Sequence, residues 1–230
     1  MRRVIAIGNQ KGGVAKTTTC LSLGACLAEL RKSVLLVDLD PQANLTLSLG
    51  IQPSSLRRTV TDAILHNATL VSVSRETDVM GLDIAPANTA LAAVDKVLYR
   101  CRDYELYLKE ALQQLDEELY DYILLDCPPS FGPLTLNALT VAELMVVPTQ
   151  AEYYAARTLQ NVFELVRLVR ERTNPALRYR LLVTLYDRRN KICQTMLAQM
   201  RAAFSQSLFE TVIEIDTKLR ESPVVGQPIT

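Results

Sequence analysis

The fold is decided by the segment Gly8-Asn9-Gln10-Lys11-Gly12-Gly13-Val14-Ala15-Lys16-Thr17-Thr18-Thr19. It follows the apolar run Val4–Ile7 and opens a stretch with helical periodicity, Thr17–Leu30. A glycine-rich loop between a buried strand and a helix is the setting in which backbone N–H groups bind phosphate. The sequence therefore predicts a phosphate-binding loop that joins the first strand to the first helix.

The residue types of this loop indicate a nucleoside polyphosphate with magnesium. The two glycines let the backbone approach phosphate closely, and Lys16 supplies a positive charge for the β- and γ-phosphates. The Thr17 hydroxyl is placed to bind Mg²⁺. The residues of the loop predicted to bind nucleotide are Lys11, Gly12, Gly13, Val14, Ala15, Lys16, Thr17 and Thr18.

Further along the chain, short apolar runs alternate with longer amphipathic stretches. Continuous apolarity predicts strands with both faces buried: Val34–Val37, Ile123–Leu125, Leu144–Val147 and Leu181–Leu185. Helical periodicity marks Arg102–Leu119, Ala155–Arg172 and Lys191–Phe204, with a short helix at Val60–His66 and strands near Leu70 and Leu82. This alternation predicts an α/β fold: one doubly wound, mostly parallel sheet flanked by helices, in a single domain over residues 1–230.

Composition narrows the class of protein. The 230 residues carry 25 basic and 25 acidic side chains, and no apolar run approaches the roughly 20 residues of a membrane helix. Five scattered cysteines without a C-x-x-C pair indicate neither disulfides nor a zinc site, which predicts a reduced, cytoplasmic protein. The only histidine, His66, has no partner for a catalytic triad.

The charge is unevenly distributed. Residues 1–166 carry 14 basic and 19 acidic side chains, whereas residues 167–230 carry 11 basic and 6 acidic. The final part of the chain is therefore either a surface for an anionic partner or an ordinary solvated basic surface.

The loop departs from the ordinary G-x-x-x-x-G-K-[ST] pattern and has a second lysine, Lys11, directly before the glycine pair. It resembles the deviant Walker A motif, K-G-G-x-G-K-[ST]-T, and the chain resembles ParA-type partition ATPases of the MinD/ParA group. Val34–Asn44 resembles the motif LLVDLDPQGN of that family, and Tyr122–Ser130 resembles its Walker B and switch II segment. Leu134–Ala138 and Val147–Tyr154 also match the family's pattern.

The resemblance implies an ATPase with ATP and Mg²⁺ as cofactors, with Lys11, Lys16 and Asp40 as the catalytic residues. Asp40 matches the position credited with activating water. Asp38, which like Asp40 follows a buried strand, is assigned to Mg²⁺ or to a switch, and Asp126 is assigned to Mg²⁺ together with Thr17. Lys11 matches the lysine that reaches the nucleotide of a partner subunit, which implies a homodimer held together by ATP.

The resemblance also implies nonspecific binding to double-stranded DNA, a ParB-like cargo adaptor that stimulates hydrolysis, no membrane, and a location on the nucleoid. The expected DNA-binding residues are Arg188, Arg189, Lys191, Lys218 and Arg220. Tyr186 and Asp187 match the family's segment near the adenine, although Tyr186 also suits simple packing. Where the family often has Ile-Pro-Arg-Asn, this chain has Ile213–Asp216 with acidic residues.

Two departures leave alternatives open. Ala15 replaces a glycine, so the loop either tolerates the methyl group or handles nucleotide poorly, which would leave a hydrolysis-impaired nucleotide-binding module. The sequence ends at Thr230, where family members commonly continue with one more helix. A positioning ATPase of the Min type, which would need an amphipathic C-terminal helix, is the other alternative, and Pro223, Gly226 and Pro228 disfavour it.

Overall fold

A computed structural model describes residues 2–152 and 155–219. Their strands form one sheet: β1 (Arg3–Ile7), β2 (Val34–Asp38), β3 (Arg75–Glu76), β4 (Leu82–Ala85), β5 (Tyr122–Asp126), β6 (Leu144–Thr149), β7 (Arg178–Tyr186) and β8 (Leu208–Glu214). The order across the sheet is β3-β4-β2-β5-β1-β6-β7-β8, and all neighbours are parallel except β3 and β4. The predicted doubly wound, mostly parallel sheet is confirmed.

Helices cover both faces of the sheet. They are α1 (Lys16–Glu29), α2 (Asn44–Ser48), α3 (Val60–Leu65), α4 (Leu70–Val73), α5 (Leu91–Leu98), α6 (Tyr107–Gln113), α7 (Pro133–Val141), α8 (Ala155–Arg172) and α9 (Lys191–Ala203). None of the helices in the described part of the chain is long and apolar enough to span a bilayer.

The central strands divide their side chains between two cores. In β2, Leu35 and Val37 face one core while Val34 and Leu36 face the other, and all four are fully buried. Because both faces are covered, the strand reads as a continuous apolar run in the sequence. The carboxyl ends of β1, β2 and β5 meet at one edge of the sheet, where ligands bind in open α/β folds.

Two predicted elements differ from the structure. The strand expected near Leu70 is the short helix α4, which the Thr69 hydroxyl caps by accepting the Ser72 N–H at 3.1 Å. The helix expected over Arg102–Leu119 is only α6, preceded by a 3₁₀ turn, because Asp103 adopts a left-handed φ of 52°. Helix α6 ends at Gln113, so the amphipathic pattern overestimated its length at both ends.

Candidate active site

The phosphate loop lies at the carboxyl end of β1 and is held from both sides. The Asn9 side chain donates to the Pro148 carbonyl at 2.7 Å and accepts the Lys11 N–H at 3.0 Å. From β7, the Thr184 hydroxyl donates to the Val14 carbonyl at 3.0 Å. The loop is therefore shaped by the neighbouring strands β6 and β7 before any ligand binds.

Two residues of the loop adopt left-handed backbone conformations. Gly13 has φ 72°, which glycine accepts without strain. Ala15 has φ 61° at the N-cap of α1, a conformation that costs an L-residue about 1 kcal/mol. Since Ala15 offers no side-chain cap, the first N–H groups of α1 remain available to bind an anion.

The two lysines of the loop occupy different environments. Lys16 is 8% exposed, and its Nζ donates to the Lys11 carbonyl at 3.1 Å. Burial lowers the pKa of Lys16, while the charges of Asp126 and Asp40 raise it. Lys11 points the other way, and its Nζ contacts Gln150 Oε1 at 2.8 Å and Glu152 Oε2 at 2.6 Å in its own chain. The sequence analysis did not predict that Gln150 and Glu152 bind Lys11, because it included them only as part of the motif Val147–Tyr154.

Asp38 is fully buried, and both of its oxygens accept hydrogen bonds. Oδ1 accepts the Asp40 N–H at 3.1 Å, and Oδ2 accepts the N–H and the hydroxyl of Thr46 at 3.0 and 2.7 Å. Thr46 also accepts the Ala87 N–H at 3.0 Å. Burial raises the pKa of Asp38 to about 6 against these hydrogen bonds. Asp38 therefore anchors the segment that leads into α2, a role that depends on a threonine that the sequence analysis did not single out.

Asp126 lies opposite Asp38 in the register of β2 and β5, but the two side chains differ in the hydrogen bonds they accept. The two side-chain oxygens of Asp126 are buried and accept no hydrogen bond from the described residues. Burial and the charges of Asp38 and Asp40 raise the pKa of Asp126, while the nearby Thr17 hydroxyl and Lys16 lower it. A buried carboxylate without partners is costly unless a ligand completes it, so Asp126 is a candidate cation site.

The side chain of Asp40 accepts fewer hydrogen bonds than that of Asp38 and more than that of Asp126. It is 7% exposed, and its Oδ1 accepts the Gln42 N–H at 2.9 Å. The tight turn after it is closed by the Ala43 N–H, which donates to the Asp40 carbonyl at 2.8 Å. Ala43 is the N-cap of α2, has φ 53°, and stands where the family motif has glycine. Ala15 has the same left-handed conformation at the N-cap of α1.

A cavity of about 460 Å³ runs along α1 from Ala15 to Cys26. Its other wall comes from β7, β8 and the residues after them, among them Thr184, Leu185, Phe209 and Asp216. Tyr186 and Asp187 do not line it, and Asp187 instead accepts hydrogen bonds from the backbone and side chain of Arg189.

The predicted DNA-binding residues that the structure describes lie at the carboxyl edge of β7 and β8 and are exposed; they are Arg188, Arg189, Lys191 and Lys218. Arg188 pairs with Glu214 at 3.7 Å, which joins the ends of the two strands. Arg220 lies outside the described residues. Arg178 and Arg180 lie at the start of β7, roughly 20 to 26 Å from its carboxyl end at 3.3 Å per residue, so they are separate from Arg188 and Arg189.

The loop between β1 and α1, its paired lysines and the aspartate that ends β5 define a P-loop nucleotide-binding protein. Residues 2–179 match the AAA domain family AAA_31. The chain is 41% identical over 230 residues to the sporulation initiation inhibitor protein Soj of Bacillus subtilis, covering all of this chain and 90% of that protein. It is 44% identical to the chromosome-partitioning ATPase Soj of Thermus thermophilus, with 99% and 87% covered.

Solved structures agree with this match. One, described as a cobyrinic acid a,c-diamide synthase from Mycobacterium smegmatis with bound ADP and magnesium, is 38% identical with a TM-score of 0.89 over 98% of this chain and 93% of that one. A plasmid partition protein from Borrelia burgdorferi bound to AMPPNP is 25% identical with a TM-score of 0.85, over 100% and 92%. The chain belongs to the ParA-type family of partition ATPases.

Proposed function

We propose that this chain is an ATP-switched partition ATPase that binds ATP and Mg²⁺ at the carboxyl edge of β1, β2 and β5. The observation that carries the proposal is the buried carboxylate of Asp126, which accepts no hydrogen bond from the described residues and lies close to Thr17 and Lys16 of the phosphate loop. Relatives that contain adenine nucleotides and magnesium support the choice of ligand.

The residues present fit a magnesium ion. Asp126 and the Thr17 hydroxyl supply oxygen atoms, which are the ligands that Mg²⁺ prefers, and substrate phosphates commonly complete such a site. When bound, the ion neutralises charge on the phosphates. Asp38 already accepts three hydrogen bonds from Asp40 and Thr46, so in this proposal it holds the loop after β2 instead of the metal.

The remaining residues of the site divide the work. Lys16 neutralises the terminal phosphates, and the backbone of Gly12, Gly13, Val14 and Ala15 donates N–H groups to them, with Thr18 next to the α-phosphate. Asp40 keeps one carboxylate oxygen free of hydrogen bonds from the described residues and orients the attacking water. The adenosine extends into the end of the cavity beside Ala15 and Thr184, close to the segment that contains Tyr186 and Asp187.

ATP holds two subunits together through Lys11. To reach the phosphates of a second subunit, Lys11 must leave Gln150 and Glu152 of its own chain. The ion pair with Glu152 is roughly half exposed, and such pairs contribute less than about 1 kcal/mol. Phosphate charge in the partner site readily replaces it.

The dimer binds double-stranded DNA without sequence preference through Arg188, Arg189, Lys191, Lys218 and Arg220. Dimerisation doubles the number of phosphate contacts, so binding depends on ATP and falls steeply with salt, by about 0.9 log units per phosphate per decade. A ParB-like adaptor then stimulates hydrolysis and releases the dimer from the nucleoid.

Binding to a random-sequence duplex tests this function directly. It is measured without nucleotide, with ADP and with ATP–Mg²⁺, at two salt concentrations. We expect binding only with ATP–Mg²⁺, weakened by salt, and lost in Arg188→Ala/Arg189→Ala. Arg57→Ala/Arg58→Ala is the matched control, since it removes two adjacent exposed arginines elsewhere.

The other outcomes separate the alternatives. Absence of binding that Ala15→Gly restores identifies a nucleotide-handling defect caused by Ala15. Normal ATP binding and dimerisation without DNA binding contradicts the DNA assignment and favours a positioning ATPase of the Min type.

A further inference from the structure

Helix α7 begins without a local cap. Its N-cap is Gly132, which has no side chain, and its first residue is Pro133, which has no N–H. The first helical hydrogen bond within α7 is donated by Leu136 to the Gly132 carbonyl at 3.0 Å. The N–H of Leu134, a fully buried residue, therefore needs a partner from elsewhere.

Asp95 of α5 supplies that partner. Its Oδ1 accepts the Leu134 N–H at 3.0 Å across 39 residues of chain. A carboxylate at the start of a helix also interacts favourably with the helix dipole. Burial raises the pKa of Asp95, while the hydrogen bond from the Leu134 N–H lowers it.

Gly132 makes this approach possible. Its φ of −87° and ψ of −172° suit any residue, so backbone conformation does not require glycine here. A Cβ at position 132 would lie 3.1 Å from Asp95 Oδ2 and 3.4 Å from its Cγ, tighter than ordinary van der Waals contact. The carboxylate of Asp95 thus fills the space that a side chain at residue 132 would take.

These contacts fix the far end of the loop that follows Asp126. At the near end, the Cys127 N–H donates to the Ile7 carbonyl at 3.0 Å, and Asp126 accepts the Leu39 N–H at 3.0 Å through its carbonyl. Between them, Pro128 and Pro129 have no N–H, and the Ser130 carbonyl accepts the Thr135 hydroxyl at 2.5 Å. The position of residues 127–132 therefore depends on how the start of α7 is held.

We propose that Asp95 is a positioning residue for ATP turnover. From α5 it holds the start of α7, and through it the loop of residues 127–132 that follows Asp126 at the end of β5, while Gly132 provides the space for its carboxylate. This inference rests on the proposed ATPase function. In this proposal, helix α5 affects ATP turnover through Asp95 although it lies outside the nucleotide site.

Turnover and nucleotide affinity in Asp95→Ala test the proposal. We expect kcat to fall roughly 10-fold, as for a misplaced catalytic group, with the Kd for ATP within about twofold of wild type. Asp95→Asn keeps an oxygen that accepts the Leu134 N–H and is expected to recover most of kcat. Asp83→Ala is the matched control: it removes a partly buried carboxylate that accepts the Tyr120 hydroxyl at 2.7 Å, and kcat should not change.

The close approach is tested by a double-mutant cycle. Gly132→Ala alone is expected to lower kcat because it displaces the Asp95 carboxylate, and Asp95→Ala/Gly132→Ala should be no slower than Asp95→Ala. If the two effects instead multiply, the residues act independently and the proposal is wrong.

Amide hydrogen exchange tests whether Asp95 holds the start of α7, even if the protein shows no ATP turnover. Asp95→Ala should lose protection at Leu134 and Leu136, the first hydrogen-bonded amides of α7, and Asp83→Ala should not. Unchanged protection together with unchanged kcat overturns the inference. A wild-type chain without ATP turnover refutes the proposed ATPase instead, and the exchange measurement still tests whether Asp95 holds the loop.

Discussion

The loops after β2 and β5 begin with neighbouring aspartates, Asp38 and Asp126, that lie opposite each other in the sheet. Both end a buried apolar strand, and both are at most 1% exposed. The side chain of Asp38 accepts three hydrogen bonds from Asp40 and Thr46, whereas the side chain of Asp126 accepts none from the described residues. The same residue in the same sheet position thus serves structure in one loop and is left available for a ligand in the other.

The largest expected effect is on the β2 side. Asp38→Ala leaves two buried donors of Thr46 and the Asp40 N–H without their acceptor, and it should reduce the free energy of unfolding by about 2 kcal/mol at pH 7. Urea unfolding without nucleotide measures this, with Asp83→Ala as the control. A loss no larger than in the control would show that Asp38 does not anchor its loop.

The pH dependence of that loss provides a second test. Because the pKa of Asp38 is raised to about 6, the folded state binds more protons than the unfolded state between about pH 4 and pH 6. The proton-linked part of the contribution of Asp38 to stability is therefore largest at low pH and is lost as the pH rises through 6, whereas the part due to its hydrogen bonds remains at pH 7. The destabilisation of Asp38→Ala should be about 1 kcal/mol greater at pH 5 than at pH 7. A loss that grows with rising pH contradicts the raised pKa.

For Asp126, at the end of β5, we expect a substitution to increase the free energy of unfolding, whereas the substitution of Asp38 decreases it. Asp126→Asn removes a buried carboxylate whose charge is opposed by burial, Asp38 and Asp40 more than it is favoured by Thr17 and Lys16, so the protein without nucleotide should gain about 1 kcal/mol of stability. The same variant should lose the dependence of ATP binding on Mg²⁺. Unfolding and ATP binding with and without Mg²⁺ measure the two effects. Destabilisation of the nucleotide-free protein would show that Asp126, like Asp38, is part of the framework.

The sequence predicted the common features of these loops but not the difference between them. Continuous apolar runs identified the central strands, and the glycine-rich segment identified the loop after β1, because both signals are local. The state of Asp38 depends on Thr46, eight residues later, and the Asp95 contact joins residues 39 apart. Such pairings arise from the packed fold, and no local pattern encodes them.

The smallest expected effects concern the alanines that end the loops after β1 and β2. Ala15 and Ala43 have φ 61° and 53°, so Ala15→Gly and Ala43→Gly should each add roughly 0.5 kcal/mol of stability by removing strain. Ala15 lines the cavity beside the phosphate loop, whereas Ala43 is 2% exposed and packs in the core. Strain present in both the free and the bound state cancels from the affinity, so only a methyl group that meets the nucleotide changes the Kd. We expect Ala15→Gly to tighten ATP binding by roughly 2- to 5-fold, about 0.4–1 kcal/mol, and Ala43→Gly to leave it unchanged. Calorimetry measures the Kd for ATP in both variants. An equal change in the Kd would mean that the loop after β2 also contacts ATP, which would contradict the distinction between this loop and the phosphate loop after β1.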